Sequence, residues 1–252
     1  MARYELLNNI AHHDLRVVLG FGAQFGDAVG MLPAFPSEFG ELQREYPIFL
    51  RKDTAEGSWQ AVALLGFEQG ENLFLQDGRW NAAYLPGAAA KGPFLIGFQE
   101  HYSGGELAQE AVIHVDLDHP RVNKQDGEPV FLPQGGNSPY LDHIINVLRG
   151  IHDGSSYGAA LYAALDAAGL IQAVTLDVQL DEHNRVAVNG LYGIDRDRLA
   201  ALDASQLHAL NQAGYLEAAF LMLASLHNMR RLIAEKQRRL RAADDDFVAA
   251  RN

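Results

Sequence analysis

The segment Ser225-Leu226-His227-Asn228-Met229-Arg230-Arg231-Leu232 lies near the end of the most informative region of the chain, which opens with Gly190-Leu191-Tyr192. Apolar residues recur at positions 216, 220, 223, 226 and 229, with 219 and 233 beside them. This spacing places them on one face and predicts a long helix over residues 215–241. Asn228, Arg230 and Arg231 are polar residues inside that pattern. We expect one of the arginines to pair with a carboxylate or with Asn228, and all three are candidate binding residues.

The rest of the chain divides into two kinds of pattern. Short strand-like runs separated by glycine- and proline-rich loops fill residues 15–117. Helical spacing begins at Ser138-Pro139, and it predicts one helix to Ile151 and a second over 157–168. A hairpin is predicted over 173–192. This order indicates an α+β protein: an N-terminal, mostly antiparallel sheet with short helices, then helices with a β-hairpin and a long C-terminal helix.

We expect one domain over residues 1–252. The segment 120–137, rich in proline, glycine and asparagine, is the best candidate for a sub-boundary inside it. It would separate a β-rich half, 1–119, from a helix–hairpin–helix half, 138–252.

The overall composition excludes several classes of protein. The 252 residues carry a formal net charge of -12 and include no cysteine. An acidic chain is unsuited to binding nucleic acid or an anionic membrane surface, and a chain without thiols has no disulfide and no thiolate site. The N-terminus has no signal-peptide pattern, and no apolar run reaches the roughly 20 residues of a membrane span. We therefore expect a soluble, cytoplasmic, bacterial protein.

Two glycine-containing motifs suggest enzymes but lack the required context. Gly154-Ser155-Ser156-Tyr157-Gly158 matches the G-x-S-x-G elbow of serine hydrolases, which needs a buried strand before the serine. Helical spacing precedes it here, so a helix–turn–helix connection is favoured. Gly20-Phe21-Gly22-Ala23-Gln24-Phe25-Gly26 resembles a nucleotide-binding turn, but Pro33 and Pro36 exclude the helix that should follow. A glycine-rich surface loop is favoured instead.

A metal site is the strongest enzymatic alternative. His114 and Asp116 alternate on a predicted strand and therefore point to the same face. With a distant histidine such as His183 they would form the two-histidine, one-carboxylate site of iron oxygenases. The favoured interpretation is that they are outward-facing polar residues of an antiparallel strand. On that interpretation no catalytic residue, metal or cofactor is expected.

The two tryptophans of the chain lie about twenty residues apart and flank Glu71-Asn72-Leu73-Phe74. Tryptophan and tyrosine combine a large apolar area with a polar group, which suits recognition surfaces. We therefore predict a ligand- or partner-facing cleft near Trp59, Glu71, Asn72, Trp80 and Tyr84. The alternative is that both indole rings fill the core of the sheet.

The predicted C-terminal helix is basic, in contrast to the acidic chain. Beyond Arg230 and Arg231, its cations are expected to be solvated near the helix end, with their stems covering apolar surface. They are Lys236, Arg238, Arg239 and Arg241.

Seven short segments, spread over nearly the whole chain, are diagnostic in combination. They are Tyr46-Pro47-Ile48, Ala63-Leu64-Leu65-Gly66, Glu71-Asn72-Leu73-Phe74, Trp80-Asn81-Ala82-Ala83-Tyr84-Leu85-Pro86, Pro93-Phe94, Gly190-Leu191-Tyr192 and the Ser225–Leu232 segment. Together they resemble the SapC family of bacterial proteins. The resemblance implies an accessory protein in a system with flavin-dependent halogenase-like proteins, cupin or JmjC-like proteins and TonB-dependent receptors. It supplies no catalytic residues.

The leading hypothesis is a non-catalytic, cytoplasmic accessory or binding protein of the SapC kind, with a protein partner or a small molecule as its ligand. A metal-dependent oxygenase is the first alternative. A surface-layer protein, after which the family is named, is the second. The oligomeric state is left open.

Overall fold

Strands and helices are interspersed along the chain in the computed structural model, which describes residues 3–53, 57–103, 106–182 and 184–249, with side chains except at 100–109, 244 and 246–249. The strands are β1 (Tyr4–Leu6), β2 (Arg16–Val17), β3 (Met31–Pro33), β4 (Ile48–Lys52), β5 (Trp59–Leu64), β6 (Leu75–Gln76), β7 (Arg79–Trp80), β8 (Phe94–Ser103), β9 (Glu106–Asp116), β10 (Val122–Asn123), β11 (Glu128–Pro129), β12 (Ile171–Gln179) and β13 (Arg185–Ile194). The α-helices are α1 (Phe39–Leu42), α2 (Gly87–Ala90), α3 (Pro139–Ala167), α4 (Arg196–Ala200), α5 (Ala204–Gln212), α6 (Tyr215–Ser225) and α7 (Met229–Ala249). Short 3-10 turns cover Ala23–Phe25, Pro36–Glu38 and Leu226–Asn228.

These elements confirm the predicted α+β class. Antiparallel strands dominate the first half, and a β-hairpin and helices dominate the second. The predicted long C-terminal helix is present as α6 and α7, joined by the 3-10 turn Leu226–Asn228. None of the described helices has both the length and the apolar character of a membrane span.

The chain forms two compact units. The first contains Met1–Asp27 and Gly87–Asp153, and the second contains Ala28–Pro86 and Gly154–Asn252. Helix α3 belongs to the first unit up to Asp153 and to the second unit from Gly154 onward. The expectation of one SapC-like domain with a sub-boundary at 120–137 stays a prediction.

The first unit is built on a three-stranded antiparallel sheet in the order β1-β9-β8, with a smaller sheet β10-β2-β11. Its core includes Leu141, Ile144 and Leu148, which recur at helical spacing on the first half of α3. This buried face confirms the periodicity expected from the sequence.

A buried ion pair closes the glycine-rich loop of the first unit. The Arg121 guanidinium donates to Asp27 Oδ2 at 2.7 Å and to the carbonyl oxygen of Gly20 at 2.9 Å, and it lies 4.8 Å from the ring centroid of Phe25. Asp27 Oδ2 also accepts the backbone N–H of Gly22. The loop is therefore held by a side chain about one hundred residues away.

The second unit is built on a five-stranded antiparallel sheet in the order β12-β13-β4-β5-β3. Its core combines the buried residues of β4 and β5 with those of α6 and of the second half of α3. Gly190 marks a β-bulge, because Val174 pairs with Leu191 whereas Leu176 pairs with Val188. Its φ of 74° is a conformation that glycine adopts without strain.

The predicted break between two helices at Gly154-Ser155-Ser156-Tyr157-Gly158 is wrong. Helix α3 is continuous through this segment, so Ser156 lies on a helix and not on a strand-to-helix elbow. The reason for Gly154 is close packing. A Cβ atom at this position would lie 2.5 Å from Ser37 Oγ and 2.8 Å from Phe35 Cβ.

We expect alanine to have opposite effects at two glycines of α3. Gly154→Ala should destabilise the fold by about 1–3 kcal/mol, because the added methyl group overlaps the segment at residues 35–37. Gly150→Ala is the matched control. Apart from its chain neighbours and the backbone of its own helix, no described atom lies within 4 Å of a Cβ there, so it should stabilise the helix by up to about 1 kcal/mol. Thermal unfolding of both variants tests this, and a stabilised Gly154→Ala variant would contradict the packing explanation.

Candidate binding site

The hydroxyl of Tyr46 joins three segments of the second unit. Trp80 Nε1 donates to Tyr46 Oη at 2.7 Å, and Tyr46 Oη donates to the carbonyl oxygen of Tyr84 at 2.5 Å. The rings of Tyr46 and Phe74 lie 4.5 Å apart between centroids. Burial raises the pKa of the Tyr46 phenol well above its usual value, so the group stays protonated. Tyr46 therefore supports the site through its hydrogen bonds and does not act as a base.

A second tyrosine is tied to a buried carboxylate. Tyr84 Oη donates to Glu38 Oε2 at 2.8 Å, and the other oxygen of Glu38 accepts the backbone N–H of Phe35. Burial, followed by the charge of Glu38, raises the pKa of the Tyr84 phenol far above its usual value. This pair joins the 3-10 turn Pro36–Glu38 to the segment after β7.

Glu45 connects the same segment to the C-terminal helix. Its carboxylate accepts the backbone N–H groups of Ala83 and Tyr84 at 2.9 Å and lies 3.3 Å from Nη1 of Arg231. Burial opposes ionisation of Glu45, but these two backbone bonds and Arg231 outweigh it and lower the pKa of the carboxyl group. The expected pairing of one arginine with a carboxylate is therefore present, and Arg231 is that arginine.

Two polar residues of the Ser225–Leu232 segment attach it to residues 43–48, which lead from α1 into β4. Ser225 Oγ accepts the backbone N–H of Ile48 at 2.9 Å, and Asn228 Nδ2 donates to the carbonyl oxygen of Gln43 at 2.9 Å. Both side chains are buried, and a buried polar group needs such a partner. Contacts with residues 43–48 therefore explain why Ser225 and Asn228 are polar.

Two cations of α7 hold the segment that contains Glu71 and Asn72. Lys236 is buried, and its Nζ donates to Glu71 Oε1 at 2.7 Å and to Glu68 Oε2 at 2.9 Å. Arg239 donates to the carbonyl oxygens of Asn72, Leu73 and Leu75. The expectation that Lys236 and Arg239 are merely solvated is therefore wrong. The partners of Lys236 and the carbonyl oxygens bound by Arg239 lie more than 160 residues away in the chain, and helix periodicity alone gives no signal for them.

A cleft of about 250 Å³ opens beside this network, and we name it the Arg231 cleft. Its lining residues are Leu73, Phe74, Asn81, Arg231, Leu232, Ala234, Glu235 and Arg238. Arg231 lies 5.6 Å above the centroid of the Phe74 ring and donates to the carbonyl oxygen of Asn81 at 3.1 Å. The cleft therefore has an apolar floor and a cationic rim.

The predicted site residues separate into two groups. Glu71, Asn72, Trp80, Tyr84, Asn228 and Arg231 all belong to the network described above. Trp59 has other neighbours: its ring meets Tyr192 edge-on at 4.8 Å, and the Lys52 ammonium group lies 4.9 Å above it. Arg230 is exposed. Whether any of these residues binds a ligand stays a prediction.

Two residues of the suspected iron site, His114 and Asp116, lie in the first unit. On β9, Asp116 Oδ1 accepts the backbone N–H groups of Arg3 and Asp118 at 3.1 Å each. The ring of His114 covers Gly97, where a Cβ atom would lie 2.7 Å from it. Over the part of the chain that the structure describes, no three histidine, aspartate or glutamate side chains are placed to hold a metal ion. His183 lies outside the described residues.

A comparison with known protein families identifies the family of this chain. The SapC family model matches residues 7–232. The chain belongs to the SapC family. No curated protein and no solved structure matches it significantly. In this SapC-family protein, four of the segments that carry the resemblance meet around Tyr46 and the Arg231 cleft: Tyr46-Pro47-Ile48, Glu71–Phe74, Trp80–Pro86 and Ser225–Leu232.

Proposed function

We propose that this SapC-family protein is a non-catalytic, cytoplasmic accessory protein that binds a partner through the Arg231 cleft. The observation that carries the proposal is the cleft itself, a small cavity with an apolar floor and two half-exposed arginine side chains, Arg231 and Arg238. Clefts that combine apolar surface with a few convergent polar groups are the usual form of a binding site.

The chemistry around the cleft favours binding over catalysis. The phenols of Tyr46 and Tyr84 stay protonated, and Glu45 is held ionised by Arg231 and two backbone N–H groups. A general base needs a pKa near the working pH, and none of these groups is shifted towards it. Each has a hydrogen-bonding role in the network beside the cleft.

The family resemblance suggests which partners to test. It implies flavin-dependent halogenase-like proteins, cupin or JmjC-like proteins and TonB-dependent receptors. The net charge of -12 argues against nucleic acid as the partner. A protein partner is favoured because aromatic and arginine residues are the common anchors of protein interfaces.

Filling the cleft should weaken partner binding by at least about tenfold, which corresponds to about 1.4 kcal/mol. Ala234 lines the cleft and is exposed, so Ala234→Trp places an indole ring in it while leaving the core intact. Ala242→Trp is the matched control, because Ala242 is an exposed residue of the same helix that does not line the cleft. Affinity is measured by biolayer interferometry against purified proteins of the three implied partner classes.

Two outcomes would contradict the proposal. If none of the three classes binds the wild-type protein at micromolar concentrations, the accessory role is wrong. If a partner binds wild type and Ala234→Trp equally well, the partner uses another surface.

A further inference from the structure

We propose that the Arg231 cleft captures the C-terminal residue of a partner protein, with an apolar side chain on the floor of the cleft and the free carboxylate at its arginines. This inference rests on the proposed function and names the chemical group that the cleft recognises. Nothing in the family resemblance specifies such a group.

The volume of the cleft fits one side chain. At about 250 Å³ it is smaller than the roughly 300–1,000 Å³ of pockets that hold whole drug-sized ligands. Its floor is formed by Leu73, Phe74 and Leu232, with Ala234 at the rim. An aromatic or branched aliphatic group would cover this floor, which is how anchor residues bind at interfaces.

The charge of the cleft favours a single carboxylate. Arg231 and Arg238 line it together with one acidic residue, Glu235, so the lining carries one surplus positive charge within a chain of net charge -12. Glu45, which pairs with Arg231, and Arg239, which pairs with Glu235, leave that surplus unchanged. A carboxylate of charge −1 matches the surplus better than a phosphate group, which carries nearly two charges.

Both arginines keep hydrogen-bond donors for a ligand. A guanidinium group has five N–H donors. Arg231 uses one donor towards Glu45 and one towards the carbonyl oxygen of Asn81. Arg238 uses two donors towards Glu235. Each arginine therefore keeps N–H donors that a ligand carboxylate can accept.

The small size of the cleft indicates that its ligand is the C-terminus of a polypeptide chain. The apolar floor and the arginines line the same small cavity, so one ligand residue must supply both the apolar group and the carboxylate. Only at a C-terminus do a large apolar side chain and a carboxylate extend from one Cα atom. An internal glutamate or aspartate would need a second residue for the floor.

The test is an NMR titration of the full chain with two tripeptides, N-acetyl-Ala-Ala-Phe with a free C-terminus and the same peptide with an amidated C-terminus. We expect the free acid to shift the backbone amides of Phe74 and Leu232 and to bind at least tenfold more tightly than the amide. Arg238→Gln should reduce this preference several-fold, because it removes one of the two cations. Ala234→Trp should abolish the shifts, whereas Ala242→Trp should preserve them.

Several results would overturn the inference. Equal affinity for the free-acid and amidated peptides would show that the cleft binds an apolar side chain without recognising a carboxylate. Tighter binding of N-acetyl-phenylalanine than of the tripeptide would indicate a small-molecule ligand. Inorganic phosphate that displaces the peptide at equal concentration would indicate a general anion site. Absence of binding by both peptides would also overturn it. The proposed function would survive each result if Ala234→Trp still weakened partner binding, so the two claims fail separately.

Discussion

Arg121→Met should destabilise the first unit by about 3–5 kcal/mol, the largest effect that we expect from a single substitution in this protein. Arg121 and Asp27 are both more than nine-tenths buried and lie 2.7 Å apart. Methionine occupies a similar volume but leaves the Asp27 carboxylate buried without its cation, and the carbonyl oxygen of Gly20 loses its donor. An unpaired buried charge costs several kcal/mol because it is removed from water without compensation.

Calorimetry and amide exchange measure this effect. Exchange of the Gly22 amide is the local readout, because its N–H donates to Asp27. Arg44→Ala is the control: Arg44 pairs with Glu41 on the surface, and its loss should cost less than about 1 kcal/mol. Arg121→Met combined with Asp27→Leu should recover part of the loss, because it removes both charges. If Arg121→Met costs no more than Arg44→Ala, the ion pair does not hold the glycine-rich loop.

Trp80→Ala should destabilise the second unit by about 2–4 kcal/mol, somewhat less than the cost for a fully buried tryptophan because the ring is half-buried. The indole ring stacks on Phe74 at 6.3 Å with 14° between the planes, and its Nε1 donates to Tyr46 Oη at 2.7 Å. Alanine leaves a cavity beside Phe74 and removes the donor to a buried hydroxyl.

Trp80→Phe separates these two contributions. It keeps an aromatic ring on Phe74 and removes the N–H donor. We therefore expect the free energy of unfolding, measured by chemical denaturation, to fall by about 1 kcal/mol. Trp59→Ala is the comparison at the other tryptophan, whose ring contacts the Tyr192 ring and the Lys52 ammonium group. If Trp80→Ala changes stability by less than about 0.5 kcal/mol but weakens partner binding, Trp80 belongs to the recognition surface and not to the supporting network.

The periodic parts of the fold were predictable because their pattern is local. The apolar spacing over 141–151 reflects the helix repeat, and its residues form the buried face of the first half of α3. The spacing over 215–241 predicted a helix correctly, but not its buried face: Phe220 is exposed, whereas Ala218 and Met222 are buried. The hairpin over 173–192 was predictable for the same reason. The continuous course of α3 was not, because glycine in a sequence marks a flexible position, and only the packing of Phe35 and Ser37 against Gly154 shows why it is used inside a helix.

The candidate site was predictable in its components but not in its arrangement. The sequence predicted one cleft near Trp80 and Tyr84, and it named Asn228, Arg230 and Arg231 separately as polar residues of the C-terminal helix. Only the structure joins members of the two groups in one network. Trp59 was included with Trp80 because the two are close in sequence, yet their side chains have different neighbours. Lys236 was missed because a lysine near a helix end is ordinarily solvated, and its burial depends on two carboxylates at Glu68 and Glu71.

By itself, the amino-acid sequence determined the α+β class, the SapC family and the helical and strand periodicities, because each of these depends on residue types at short, regular spacing. Only the tertiary structure decided which polar residues meet. Asn228 and Gln43 are 185 residues apart, Arg121 and Asp27 are 94 apart, and Trp80 and Tyr46 are 34 apart. Such contacts follow from how the sheet and helices pack, and the chain pays the entropy of closing these long loops through the burial of its core.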